Sequence, residues 1–233
     1  MILLVADEFD TNALWLAERW TSCDARILSP ADLSRPGWHF QPGCPGAWAA
    51  VADGKVCDAQ TPLNGVLNML PGVTEEQLPH IVPEDQAYVA QEMNAFLLSW
   101  ESELSCPVLN RPTPNCLIGP NFSLEEWILL AARAGLPVKP MSRSSNAGSR
   151  GGRKDLFQNA IAATVIGEHV FCKSEELQSF ARPLARAANI DVGVFYFTHA
   201  SNAEFLGASL RANLANDDAA DAVLELFPGC QPC

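Results

Sequence analysis

Three places in this 233-residue chain carry side chains whose type and spacing could do chemistry. The first is Asp7-Glu8-Phe9-Asp10, directly after the apolar run Ile2-Leu3-Leu4-Val5. Open α/β sheets gather ligands at the carboxyl ends of their strands, so Asp7 and Asp10 could meet one there. The same acids could instead feed a helix N-terminus, where the dipole favours negative charge. The second is Arg111, beside Asn110 in the rigid Asn110-Arg-Pro-Thr-Pro114. A guanidinium fork matches the shape of a carboxylate, and the alternative role is a structural ion pair. The third is Gly148-Ser-Arg-Gly-Gly152, with Arg150 and Arg153, which could cradle a phosphate through backbone N–H groups. It follows no clear strand and lies in the polar stretch 142–154, so a linker is the competing reading.

The rest of the reactive inventory is dispersed. His39, His80, His169 and His199 lie far apart with no i,i+4 pairing, and six of the eight cysteines are scattered. Cys230-Gln-Pro-Cys233 has the CxxC spacing but no neighbouring ligands, and a frayed tail is the plain alternative. There is no P-loop, no GxGxxG and no GxSxG. Glu75, Glu76, Glu101 and Glu103 sit in polar turns without the look of an acid and base pair. No catalytic residue and no metal ligand is assigned from these patterns.

Composition bounds the partners. The net charge of −12, with only 15 basic residues, repels phosphate backbones and anionic membranes. No apolar run approaches the roughly 20 residues that span a bilayer, and the acidic opening lacks a signal peptide's basic segment. These features predict a soluble, cytoplasmic protein with reduced cysteines. Trp38 and Trp48 fall in a Pro/Gly-rich irregular region, where exposed aromatics would mark a protein interface.

The elements that must hold these residues read as mixed α/β. Ile2–Val5, a helix from Thr11 to Trp20 and Ala25-Arg-Ile-Leu28 make a parallel βαβ opening. Residues 30–60 predict at most one hairpin, Trp48–Val51 and Lys55–Cys57 about an Asp53-Gly54 turn. Gly65–Leu70 is a strand or a helix. A helix follows over about Asp85–Leu98, then a short strand at Cys106–Leu109. Ser123–Ala134 carries a capping box, Ser123 with Glu126, and stops at Gly135. Ala162–Ile166 and His169–Cys172 form a hairpin, Glu175–Ala188 a helix bent by Pro183, Val192–Thr198 and Phe205–Leu210 strands, and Asp217–Leu226 a closing helix.

Three phrases in this order resemble the RimK-type ATP-grasp ligases. They are Leu109-Asn-Arg-Pro112 with Gly119-Pro120 and Gly135-Leu-Pro-Val138; Thr164-Val-Ile-Gly-Glu-His-Val-Phe171; and Leu184-Ala-Arg-Ala-Ala-Asn-Ile-Asp-Val-Gly-Val194. The resemblance implies an N-terminal parallel-sheet, pre-ATP-grasp-like domain over 1–120. A shortened ATP-grasp-like α+β remnant would follow over 121–233. In that family a strand aspartate and a Glu-x-Asn on the next strand hold the magnesium ions of ATP, which take oxygen ligands. Here Phe195, Gly207 and Ser209 stand at the matching places. Only about two dozen residues separate Val138 from Ala162, where the family has a nucleotide-clasping subdomain, and Lys139 and Lys154 are the lysines nearby. The resemblance with these departures implies a degenerate, noncatalytic partner in a peptide-modification or cofactor-biosynthesis pathway, with no cofactor. Its partner would be another protein, a biosynthetic enzyme or a homo-oligomer mate. The alternative is an ATP- and Mg-dependent carboxylate–amine ligase with an unusual or subunit-completed nucleotide site. Arg111, Asn110, Asp7 and Asp10 are the candidate ligand-binding residues.

Overall fold

The computed structural model describes residues 1–44, 46–139, 157 and 159–230. The chain divides into two compact units, residues 1–120 with 213–233, and residues 121–212. The closing helix was expected in the second region and groups instead with the first unit.

The first unit is built on a parallel sheet of β1 (Ile2–Val5), β2 (Ala25–Leu28), β6 (Gly65–Asn68) and β7 (Val108–Leu109), in the order β2-β1-β6-β7. All four residues of β1 have no solvent exposure, which is why this central strand is a continuous apolar run. The ambiguous segment at Gly65 is therefore a strand, paired with β1 from Ile2↔Gly65 to Val5↔Asn68. Helix α1 (Thr11–Arg19) follows β1, and α2 (Pro83–Glu103) connects β6 to β7. Helix α2 extends past its expected end because Leu97, Trp100 and Glu101 continue the buried stripe begun at Ala90 and Met93.

A second, antiparallel sheet of β3 (His39–Phe40), β4 (Trp48–Ala52) and β5 (Lys55–Asp58) occupies the irregular region. The β4–β5 turn is the expected one: Asp53 and Gly54 both take left-handed φ, 50° and 65°, as a two-residue hairpin turn requires. Strand β3 was not expected, since its two residues are too few to show a period. Buried Asp32 accepts from the Gly54 amide at 3.2 Å and from the Ser29 hydroxyl at 3.0 Å, tying the end of β2 to that turn.

In the second unit, α3 (Leu124–Arg133) and α4 (Glu175–Ala187) pack on an antiparallel sheet of order β11-β10-β8-β9. The strands are β8 (Ile161–Ile166), β9 (His169–Phe171), β10 (Val192–Phe197) and β11 (Phe205–Ser209). The capping box holds as read: Ser123 Oγ accepts from the Glu126 amide at 3.2 Å, and Glu126 accepts from the Ser123 amide at 2.7 Å. Pro183 lies within α4. The stretch 142–154, its Gly148–Gly152 run, Arg150, Arg153, Lys154 and Cys233 lie outside the described residues. Among the described residues no helix is long and apolar enough to cross a membrane.

The C-terminal stretch is held to the first unit by polar and apolar contacts. Arg19 of α1 bonds Asp221 of α5 (Asp217–Leu224) at 2.8 Å, and Asn12 accepts from the Leu214 amide at 3.0 Å. The buried Phe227 ring abuts Gly65, so that a Cβ there would stand 2.1 Å from Phe227 Cδ1. Gly65→Ala is expected to destabilise the first unit by about 1–3 kcal/mol in urea titrations. Combining it with Phe227→Leu should recover part of that loss; independent, additive losses would contradict the contact.

Candidate functional site

The carboxyl end of the parallel sheet contains two hollows. The smaller, about 160 Å³, is walled by Asp7, Glu8, Phe9, Ser29, Pro30 and Gln77 beyond β1 and β2. Asp7 is already engaged there, accepting from the Phe9 amide at 3.0 Å and from Gln77 Nε2 at 2.7 Å. Asp10 is the N-cap of α1, accepting from the amides of Asn12 and Ala13 at 2.9 and 3.0 Å. Its carboxylate serves the helix, while Asp7 stands in the wall of the hollow. The larger hollow, about 390 Å³, lies past β6 and β7 between Gly72, Asn94, Thr113, Asn115 and Cys116. No charged side chain lines it, so it offers neutral hydrogen-bonding groups only.

Asn110 and Arg111 sit just beyond β7, and the structure gives Arg111 a structural task of a different kind from an ion pair. Arg111 Nη1 donates to the backbone oxygens of Glu101 at 2.9 Å and Ser102 at 3.5 Å. Those carbonyls belong to the last turn of α2, the negative end of its dipole, where a guanidinium is favourable. Asn110 is buried and takes a left-handed φ of 52°, which asparagine tolerates better than most residues.

The residue that sequence reasoning missed is Glu101. Its side chain has no solvent exposure, and Oε2 accepts from Asn68 Nδ2 at 2.7 Å. Two buried atoms of this same pair, Glu101 Oε1 and Asn68 Oδ1, have no partner among the described residues. A proton on Oε1 would satisfy both at once, donating to Asn68 Oδ1 and closing a two-bond ring between acid and amide. Burial agrees: it pushes the Glu101 carboxyl up to about 8, opposed by the Asn68 bond and by the Arg111 charge. Burial thus favours the protonated acid, and its contact with Asn68 locks α2 to the end of β6. The signal was present in the sequence, because Glu101 continues the apolar stripe of α2 once the helix is carried past Leu98.

In the second unit, the pleat separates the three positions at which the resemblance puts magnesium ligands. Phe195 and Phe197 turn towards the helices, with the Trp127 ring 5.9 Å edge-on from Phe195. Gly207 pairs with Tyr196 and Ser209 with Val194, so Gly207 and Ser209 belong to the opposite face. Phe195 therefore marks a core position and shares no face with Gly207 and Ser209. On that opposite face the Phe157 ring stacks on Tyr196 at 4.5 Å and comes within 3.0 Å of where a Gly207 Cβ would be. Ser209 Oγ accepts from the Arg211 amide at 3.2 Å. Among the described residues of β10 and β11 no carboxylate stands on either face. These residues do not fit magnesium, which requires several oxygen ligands at once. Among all described residues no three His, Cys, Asp or Glu side chains gather as metal ligands do.

The two tryptophans of the irregular region are both half-buried against the first unit's core. Trp48 is half-buried in the first unit's core, edge-on to Trp100 at 5.8 Å. Trp38 packs edge-on to Phe96 at 5.1 Å and to Trp100 at 5.7 Å, and its Nε1 donates to the Asp32 carbonyl at 2.9 Å. Cys230 is no loose end: its Sγ accepts from Asn64 Nδ2 at 3.4 Å and meets the thiol of Cys23.

No family model matches the chain, and no curated protein matches it. Solved structures do. The ATP-grasp ligase PsnB, complexed with minimal precursor, Mg and ADP, superposes with a TM-score of 0.67 at 13% identity over 97% of each chain. The macrocyclase MdnC from Microcystis aeruginosa, bound with precursor peptide MdnA, gives 0.65 at 10% identity over 97% of this chain and 99% of its own. A RimK domain ATP-grasp protein from Sphaerobacter thermophilus gives 0.53 at 11% identity over 98% and 99%. The fold is that of the ATP-grasp ligases, a parallel-sheet unit and an antiparallel-sheet unit in one chain.

The buried acid makes stability depend on pH with a definite sign. Between its ordinary value of 4.5 and about 8, folded Glu101 holds a proton that the unfolded chain has released. Its contribution is therefore complete below 4.5, falls as pH rises through that window and is gone above about 8. Glu101→Gln can accept the Asn68 bond and offers an N–H in place of the acid's proton, without a titrating group. The variant is expected to gain stability over the natural chain as pH rises from 5 to about 8.5, by up to about 1.4 kcal/mol per unit. A difference that stays constant with pH would mean Glu101 is ionised in the folded protein.

Proposed function

We propose that this chain is a noncatalytic member of the ATP-grasp fold, a cytoplasmic partner protein in a peptide-modification or cofactor-building pathway that works without ATP or magnesium. The observation that carries the reading is the β10–β11 face bearing Val194, Tyr196, Gly207 and Ser209, with the Phe157 ring laid over Gly207. Glycine and serine offer a cation at most one weak ligand, and an aromatic ring against the strand adds none. The crowded face also leaves a Gly207→Glu reversal no room without displacing Phe157.

The fold supports the pathway half of the reading, since PsnB is a ligase complexed with a minimal precursor and MdnC is bound with a precursor peptide. Fold alone does not establish activity, so the site carries the weight. The neutral hollow past β6 and β7, and the engagement of Asp10 and Arg111 in helix capping, fit a chain whose surfaces recognise protein rather than phosphate. Asp7, in the wall of the smaller hollow, is the better placed of the candidate residues at the sheet's carboxyl edge for contacting such a partner, since Asn110 is buried.

Thermal melting of the purified chain with and without millimolar Mg-ATP tests the reading. A ligand at 100-fold over its dissociation constant adds about 2.7 kcal/mol, which at this size raises the melting temperature by about 5–11 °C. The expected result is a cooperative transition that does not move. A shift of that size would favour an ATP-dependent carboxylate–amine ligase whose nucleotide site is built from other residues.

A further inference from the structure

Helix α2 turns an unusual stripe outward. The helix exposes Glu84, Asp85, Glu92 and Glu103, buries Glu101, and has no lysine or arginine in its whole length. Glu84, Asp85 and Glu92 form no ion pair among the described residues. Beside Glu92 runs an apolar groove of about 350 Å³, lined by Trp38, Tyr88, Val89, Met93 and Phe96. Tyr88 is 65% exposed, and Val82, just before the helix, 57%. The one polar atom of the Trp38 ring is spent on the Asp32 carbonyl, so the ring offers the groove only apolar surface. Aromatic side chains half-open to solvent beside an unmatched carboxylate have the composition of a binding hot spot with a charged rim.

We propose that this groove docks a short amphipathic helix of a partner protein, whose apolar side chains are flanked by lysine or arginine. The inference rests on the partner reading above and gives it a surface and a chemistry. Tyr88, Glu92 and Phe96 follow one another at i,i+4, and Val89 and Met93 fill the adjoining row. The stripe from Tyr88 to Phe96 is about 12 Å long, the span of two turns of a docked helix. Apolar anchors on the partner, one turn apart, enter between Trp38, Tyr88 and Phe96, as helices do in hydrophobic grooves. A basic side chain beside them meets Glu92, with Asp85 two turns back along α2. The excess of acid on α2 steers such a segment in and discourages acidic competitors. Among possible occupants, a second copy of this chain is disfavoured by its own net charge of −12.

A random peptide display library, selected on the full-length chain, supplies the probe. Enriched peptides are expected to carry apolar residues at i,i+4 next to Lys or Arg. Synthesised, they should bind Glu92→Lys and Tyr88→Ser at least about tenfold more weakly than the natural chain. Both positions are exposed, and matching thermal melts will show that the variants fold. Peptides without basic residues, affinities unchanged in both variants, or no enrichment would overturn the proposal. So would self-association of the natural chain that Tyr88→Ser abolishes, because the groove would then be covered by a second copy. None of these results bears on nucleotide binding, and a Mg-ATP shift would leave the groove result standing.

Discussion

Packing of Phe195, Phe197 and Phe205 with Trp127 decides what the rest of the second unit can present. Side chains of a strand alternate, so once these rings are committed to the face under α3 and α4, the identity of the other face follows. Along β10 it receives Val194 and Tyr196, and along β11, after the irregularity between Tyr196 and Phe197, Gly207 and Ser209. A ligand-holding face in this position needs carboxylates or amides on two neighbouring strands. This one has small or apolar side chains and an aromatic ring stacked upon them. The sheet keeps its hydrogen-bonded frame whatever that face carries, because the stability resides in the buried aromatic layer opposite.

The first unit solves a different problem, the disposal of polar groups at the carboxyl edge of a fully buried sheet. Asp10 is spent on the first turn of α1 and Arg111 on the last turn of α2. Asp32 serves the turn that follows β4, and Asn68 serves Glu101. Each of these side chains could have belonged to a ligand site and instead satisfies backbone or a buried partner. Glu101 carries the largest penalty, since an ionised carboxylate there would have no matching cation within bonding distance. Holding a proton removes that penalty and leaves a neutral acid–amide contact. Along α2 the exposed charged side chains are acidic only.

Much of the architecture was legible because several signals are local. Ser123 and Glu126 announce a helix start through their own hydrogen bonds, Asp53-Gly54 announces a hairpin through left-handed φ, and the run Ile2–Val5 announces a strand buried on both sides. The site was less legible, for reasons that particular residues make plain. Val192–Phe197 is apolar at every position, so its sequence does not say which side chains face the helices, and Phe195 could be taken for a ligand position. Arg111 was chosen for its fork, yet whether a guanidinium meets a carboxylate or a helix end depends on where α2 stops. That stop was misplaced by several residues, which also hid Glu101. Trp48 looked available because its neighbours are breakers, whereas β4 turns it into the core beside Trp100. In each case the missing information was tertiary: which face a residue occupies and which element ends beside it.

The claim at the centre of this account is that the β10–β11 face holds no divalent cation with its nucleotide. Manganous ion takes the same oxygen ligands as magnesium and is paramagnetic, so its EPR signal reports coordination directly. Titrating the chain into Mn-ATP should leave the spectrum at that of Mn-ATP in buffer up to the highest protein concentration. A saturable loss or broadening of the signal that scales with protein, and that Mg-ATP reverses, would contradict it.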